Sequence, residues 1–311
     1  MIATPESTAD PAGTAAGAAG AANPLGSRDA RLISQRRRAW MTFTRNRPAV
    51  IGLVLVVLLV LVALFAPLLA PHDAIEQSTI NRLADPSSEY PLGRDDYGRD
   101  VLTRVLYGTR VALLVGVLSV LLGGVLGTTL GIVSAYFRGK VDAVLMRLVD
   151  ILLSFPDLIT GLLVLAVLGS GTVNLIVAIG LTITPRFARL SYGPTLALKE
   201  KEFVEAARAL GTRSGRILRL HILPNIAGEL LVLASLWTAS AIRLEASLSF
   251  IGLGIQPPTP TWGQMIREGT RYLADKPWLS LAPGVALLIT VFAFNLLGDG
   301  LRDVLDPRSR S

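Results

Sequence analysis

The chain has no cysteine and only two histidines, His72 and His221, far apart in sequence. A thiolate nucleophile, a zinc–thiolate site and a disulfide framework are therefore excluded together. Two such histidines offer no nucleophile–base pair and no histidine-rich metal site, so no catalytic residue, metal site or enzyme activity is expected. A phosphate loop needs Gly, four residues, then Gly-Lys-Ser or Gly-Lys-Thr, so that backbone amides ring the phosphate. Around the lone Gly139-Lys140 pair, Ser134 replaces the first glycine and Val141 replaces the hydroxyl residue. Gly252 and Gly254 lack the third glycine and the preceding strand of a dinucleotide site. No cofactor is expected in this chain, and any nucleotide chemistry must lie in another one.

What remains with chemical potential is a set of charges in apolar surroundings: Arg147, Asp150, Asp157, Glu229, Arg243 and Glu245. Such charges are costly in lipid and face protein or water. Asp157 follows Pro156, where a kink opens a helix toward a cavity. Arg243 and Glu245 lie near one end of a predicted helix, within reach of a central route. Asp157, Arg243 and Glu245 are thus the candidate lining of a pathway for a solute with charged ends. The plainer alternative pairs Arg147 with Asp150 along a helix end and uses the others to bond neighbouring helices.

The elements that must position these charges follow from composition. Of 311 residues, 51% are apolar and 17% charged, with a mean hydropathy of +0.53. A soluble domain carries about 25% charged residues, so the balance points to a membrane protein. Spans of roughly 20 residues are needed to cross hydrocarbon. The apolar runs predict six: Ala49–Leu69, Val111–Phe137, a third from about Val141, a fourth ending near Ser191, Leu223–Leu244 and Leu279–Leu297. Gly169-Ser170-Gly171 marks a hairpin between the third and fourth. The run after Arg36-Arg37-Arg38 is too long for a signal-peptide core and has no cleavage site behind it. The expected organisation is a disordered cytosolic tail (1–30), a basic juxtamembrane segment (31–48), a first span (49–71), an outer loop (72–107) and a membrane core (108–305).

With the N-terminus inside, inner segments hold 20 Lys and Arg and the two long outer loops hold 7, a positive-inside bias that puts both termini in the cytoplasm. The net charge of +7 therefore marks membrane orientation, and no nucleic-acid partner is expected. In the second span, Ser119, Gly123, Gly127, Gly131 and Ala135 recur every four residues, a small-residue stripe suited to close helix packing within the subunit or between subunits. The second outer loop, with Pro257-Pro258 and Trp262, suits contact with an external protein or a plug over the outer mouth.

Between the fourth and fifth spans lies the inner segment LKEKEFVEAARALGTRSGRILRLHILPN. Within 198–211, Phe203, Ala206, Ala207 and Leu210 share one helical face, Glu202, Glu205 and Arg208 lie toward others, and Gly211 is placed for a left-handed cap. Paired alanines let a partner's groove approach the backbone; an amphipathic helix resting on the membrane is the other reading of the same pattern.

EAA, three residues, Gly211 and then HILPN resembles the signature loop of ATP-binding-cassette importer permeases, and His221 in place of isoleucine resembles the peptide-transport branch. YPLGRDDYGRDVLTRVLYGTRVAL (Tyr90–Leu113), with Arg94 where threonine is usual, LSFIGLGIQPPTPTWGQMI (Leu248–Ile266) and NLLGDGLRDVLDPR (Asn295–Arg308) resemble further stretches of that family. The likeness extends from about Arg36 to Arg308. It implies an all-α type I (MetI-like) importer permease fold in the bacterial inner membrane, with 198–211 as a cytosolic coupling helix. It also implies Phe203, Glu205, Ala206, Ala207, Arg208, Leu210 and Gly211 as the coupling residues that meet an ATPase. The implied partners are a homologous permease, two ATPase domains that bind ATP and Mg, fused or separate, and an extracytoplasmic peptide-binding protein. Short peptides are the implied cargo; nickel or another small solute on the same machinery, and a non-transporting scaffold, are the alternatives.

Overall fold

An apolar chain in hydrocarbon must close its backbone hydrogen bonds within itself, which helices do. A computed structural model describes residue 41 and residues 43–305, and among these there is no strand. The expected tail 1–30, most of the basic segment 31–48 and the extreme C-terminus lie outside the described residues. Of two units, Met1–Met41 and Thr42–Ser311, the second carries every element named below. These are α1 (Arg47–Leu69), α2 (Val101–Phe137), α3 (Gly139–Leu153), α4 (Asp157–Leu168), α5 (Thr172–Lys199), α6 (Glu202–Ala209), α7 (Ser214–Ile217), α8 (Leu223–Ile251), α9 (Trp262–Gly269) and α10 (Trp278–Leu305).

Five runs among the described residues are long and apolar enough to cross a membrane: α1, α2, α5, the α7–α8 run and α10. A sixth exists only if α3 and α4, bent by 100° to one another, count as one broken span. The single third helix expected from Val141 onward is thus corrected to two. Proline lacks an N–H and drives the residue before it from helical geometry, so α3 stops at Leu153 and α4 restarts after Pro156. The expected hairpin falls at Gly169-Ser170-Gly171. Gly169 and Gly171 take φ of 81° and 146°, values that side chains with a Cβ rarely adopt. The Asn174 side chain donates to the carbonyls of Leu168 and Gly169 at 2.7 and 3.2 Å, covering the end of α4.

Helix ends differ from the sequence estimate where polar turns extend a span. α2 starts ten residues before Val111 because the Asp100 carboxylate accepts the Thr103 N–H (3.0 Å) and hydroxyl (2.6 Å), capping a polar first turn. α5 runs through Pro185 and Pro194 to Lys199. Ahead of α8, Leu218–Ile222 forms a π turn, as expected where Pro224 denies the helix one donor.

The small-residue stripe of α2 packs within the subunit, against α5. A Cβ on Gly123, Gly127 or Gly131 would sit 2.5, 2.1 or 2.2 Å from the carbonyl oxygens of Gly180, Thr184 and Ala188. Backbone meets backbone at each step, an approach open only to glycine. On the other side of the bundle α1 and α10 cross as closely, at Gly52 and Gly300.

Trp262 neither plugs an outer mouth nor offers itself to a partner. It is 1% exposed in a core with Leu59, Val101, Ala112 and Ile242, and its indole N–H donates to the Val105 carbonyl at 3.0 Å. Arg94, the departure from the resembled pattern, closes its own loop: it stacks 3.7 Å from the Tyr90 ring centroid and donates to the Gly98 carbonyl. This assembly holds the start of α2, whereas α6 lies at its end; at 1.5 Å per residue the helix separates the two by about 55 Å.

Candidate functional site

Two places bring the sequence-selected residues together. The first is α6, shorter than the 198–211 expected. Val204 and Ala207, three apart, point inward and are 0% and 9% exposed. They pack with Ile132, Tyr136, Ile217, Ile222 and Ile226. Burying a valine fully is worth roughly 1.5–3 kcal/mol, so these two side chains seat the helix on its own subunit. Phe203, Glu205, Ala206, Arg208 and Leu210 are exposed, Leu210 at 86%. The face expected to act as one is therefore divided: Ala207 turns inward beside Val204, which the spacing did not single out, while Phe203, Ala206 and Leu210 turn out.

Gly211 ends the helix as its position implies. With φ at 75°, the Thr212 N–H reaches the Ala207 carbonyl at 3.0 Å and the Gly211 N–H reaches that of Arg208 at 2.8 Å. This is the paired bonding of a Schellman end. Nothing lies within 4 Å of where a Cβ on Gly211 would stand, so conformation, not space, demands glycine there.

Below α6, Tyr136 at the end of α2 gathers two cations. The Arg208 guanidinium lies 4.9 Å from its ring centroid, with Nε donating to the phenol oxygen at 3.4 Å. Lys199 Nζ donates to the Tyr136 carbonyl at 2.5 Å. An open recess of about 410 Å³ is lined by these residues with Phe137, Gly211, Thr212 and Ser214. Arg208 and Tyr136 thus tie α6 to the end of the 37-residue α2.

The second place is a recess of about 240 Å³ between α4, α5 and α8, lined by Asp157, Thr182, Trp237, Ser240, Arg243 and Ser247 among others. Two of the three pathway residues meet here. Asp157, at the first position of α4 where the helix dipole favours an anion, pairs with Arg186 at 2.8 Å. Arg186 also lies 4.5 Å from the Trp237 ring centroid. Glu245 is not in that lining: it is 1% exposed and accepts the Ser249 hydroxyl at 2.7 Å. Asp150 pairs with Arg189 across to α5, not with Arg147. Sequence reasoning missed Arg186 and Trp237. Arg186 directly follows the uncharged stretch and counts toward the inner Lys and Arg, yet it lies mid-helix in α5; no spacing relates Trp237 to it.

One acidic group among the described residues has metal-like spacing: oxygens of Asp95, Asp96 and Glu268 lie within 4.8 Å of one another. Guanidinium groups occupy the cation's place. Arg99 contacts Asp95 at 2.6 Å and Glu268 at 3.0 Å, and Arg104 lies 3.6 Å from Asp95. Asp95 further accepts the N–H groups of Tyr97 and Arg99. The cluster ties the loop before α2 to α9.

Residues 127–311 match the family described as binding-protein-dependent transport system inner membrane component, and residues 34–86 match the N-terminal transmembrane domain of oligopeptide transport permease C. The chain is 39% identical to the dipeptide transport system permease protein DppC of Alkalihalophilus pseudofirmus, over 90% of this chain and 92% of that one. It is 42% identical to the glutathione transport system permease protein GsiD of Pectobacterium atrosepticum, over 91% and 95%. Among solved structures it resembles an inward-facing MetNI methionine ABC transporter at 22% identity, with a TM-score of 0.53 over 65% of this chain and 97% of that one.

Proposed function

The chain belongs to the binding-protein-dependent transport system inner membrane component family, and from that premise we propose that it is the permease subunit through which an ATP-driven importer moves short peptides into a bacterial cell. The observation that carries the mechanism is α6: a short helix anchored by Val204 and Ala207, tied to Tyr136 by Arg208, closed by Gly211, and with Phe203, Glu205, Ala206 and Leu210 exposed. A bare helix on a rigid seat suits transmission of force, because load at its exposed side chains passes into α2 and the start of α8 without local unfolding. The relatives' names, dipeptide and glutathione permeases, support peptide cargo over nickel.

In this reading Glu205, Ala206, Phe203 and Leu210 meet an ATPase subunit, Arg208 links that contact to Tyr136, and Ala207 and Gly211 fix the helix in place. Two ATPase domains bind ATP and Mg, close, and drive the coupling helices together. A homologous permease completes the pore, and an extracytoplasmic binding protein delivers the peptide. Both termini lie in the cytoplasm. Asp157 and Arg243 lie on the route, which alternates between outward and inward access by largely rigid motion.

The test is ATP-dependent uptake of labelled di-, tri- and pentapeptides by the reconstituted importer, with nickel as competing cargo. Gly211→Asp places a charge at the bare helix end, where the dipole disfavours it. Gly211→Asn, of equal size, keeps the left-handed geometry that Asn tolerates. Gly211→Asp should lower uptake roughly tenfold, the effect of about 1.4 kcal/mol of lost docking energy, with membrane abundance unchanged and Gly211→Asn near native. Normal uptake by Gly211→Asp would refute the docking assignment, and nickel uptake without peptide uptake would refute the cargo.

A further inference from the structure

The recess between α4, α5 and α8 carries an uncompensated positive charge. Asp157 is already neutralised by Arg186 at 2.8 Å, and Arg186 is also held over Trp237. Arg243 is exposed; it donates to the hydroxyl of Ser240 on its own helix at 3.2 Å, and no carboxylate among the described residues forms an ion pair with it. Glu245, two positions on, is buried and engaged by Ser249. The hydroxyls in the lining are committed elsewhere: Ser247 donates to the Arg243 carbonyl at 2.9 Å and Thr182 to the Ala178 carbonyl at 2.9 Å. Of the charged groups in the recess, the Arg243 guanidinium is thus the one that no counter-charge among the described residues meets.

A cation in a membrane-spanning helix is expensive unless it meets water or a counter-charge. A guanidinium presents a planar fork that matches a carboxylate with two parallel bonds. We propose that Arg243 receives a carboxylate of the passing substrate, making the recess an anion-accepting station on the route. The proposal rests on the importer reading and deepens it. The carboxylate comes from the C-terminus of a peptide or from an acidic side chain. An ammonium group meets a carboxylate, Asp157, that Arg186 already neutralises. The station therefore favours anionic cargo over cationic cargo.

The absence of cysteine in this chain permits a direct test. Ser247→Cys, at an exposed position in the recess one helical turn from Arg243, is introduced into the full chain and assembled with its partners in lipid vesicles. Its labelling rates by a sulfonate and by a trimethylammonium methanethiosulfonate of similar size are compared by mass spectrometry of this chain, each normalised to a free thiol in solution. The sulfonate should react roughly tenfold faster, the scale on which one sign of charge concentrates counter-ions in a cleft. Arg243→Gln should abolish the preference and Arg243→Lys should keep it. Tri-alanine should slow labelling and its C-terminal amide should not; slowing by amidated Ala-Asp-Ala would assign the side-chain source as well. An unchanged preference in Arg243→Gln, or no labelling by either reagent where an exposed Gly215→Cys control reacts, would overturn the station. Peptide uptake by the same vesicles reports on the importer separately: uptake without charge preference removes only the station, and absence of uptake by the native assembly removes the reading beneath it.

Discussion

Asp96 lies where the loop before α2 meets α9, 7% exposed, with its Oδ1 buried and without a hydrogen-bond partner. Burial raises its pKa above the ordinary 3.8; the neighbouring Asp95 and Glu268 carboxylates add to the rise, and Arg99 opposes it. An acid whose pKa rises on folding holds its proton more tightly in the folded state. Its contribution to stability is complete below the unfolded-state value and is lost as pH climbs through the folded-state value. Asp96→Asn, which keeps the shape and removes the charge, should therefore raise the thermal midpoint at about pH 7.5. At a pH low enough to protonate the carboxylate in both the folded and the unfolded chain, the two proteins should differ little. Scanning fluorimetry in nanodiscs at both pH values decides it. A lower midpoint for Asp96→Asn at neutral pH would mean that the ionised carboxylate is the form the fold requires. Single residues differed in how far the sequence disclosed them. Gly211 was legible because a left-handed helix end has a strong residue preference. The inward turn of Ala207 and the burial of Glu245 were not, because helical spacing defines an arc without saying which part of it a neighbour covers.

At the scale of elements, α2 and α5 are joined where carbonyl oxygens of α5 stand 2.1–2.5 Å from the place a Cβ on the facing α2 glycines would take. Adding one methyl at Gly127 requires Thr184 to move, since its carbonyl oxygen stands 2.1 Å from the new atom, and backbone yields less readily than a side chain. Gly284 is the control: it lies inside α10 with nothing within 4 Å of an added Cβ. Gly284→Ala should be neutral or stabilising by up to about 1 kcal/mol through helix propensity. Gly127→Ala should cost about 1–3 kcal/mol as overpacking, and Gly127→Leu should leave little folded protein by size-exclusion chromatography. Equal midpoints for the two alanine variants would show that the helices separate freely. The stripe itself was plain in the sequence, as a four-residue period; its partner was not, because Gly180, Thr184 and Ala188 form no comparable run of glycine. Pro156 likewise signalled a kink, yet the residues alone did not reveal that the helix breaks outright and turns by 100°, since the angle depends on what α4 packs against.

For the whole molecule, α2 acts as a strut with a different kind of structure at each end. At its start, Asp95, Arg99, Arg104 and Glu268 fasten the preceding loop to α9 by buried ion pairs, and Trp262 is keyed into the space left by Gly108. At its end, Tyr136 receives Arg208 from the otherwise bare α6. One end is locked to its own subunit and the other presents a surface, which is what the coupling proposed above needs if motion arriving at α6 is to cross the bilayer. This requires the two ends to lie on opposite sides of the membrane, in agreement with the bias of Lys and Arg toward the α6 side. The cysteine-free chain again makes the requirement measurable. Ser88→Cys, exposed in the loop before α2, and Gly215→Cys, exposed just beyond α6 with open space around its Cβ, are expressed separately in intact cells. A membrane-impermeant maleimide should label Ser88→Cys from outside and leave Gly215→Cys untouched until the membrane is opened. Labelling of both from outside would place α6 beyond the reach of a cytoplasmic ATPase and end the coupling mechanism. The reverse pattern would invert the topology and turn the locked end, not the bare one, toward the cell interior.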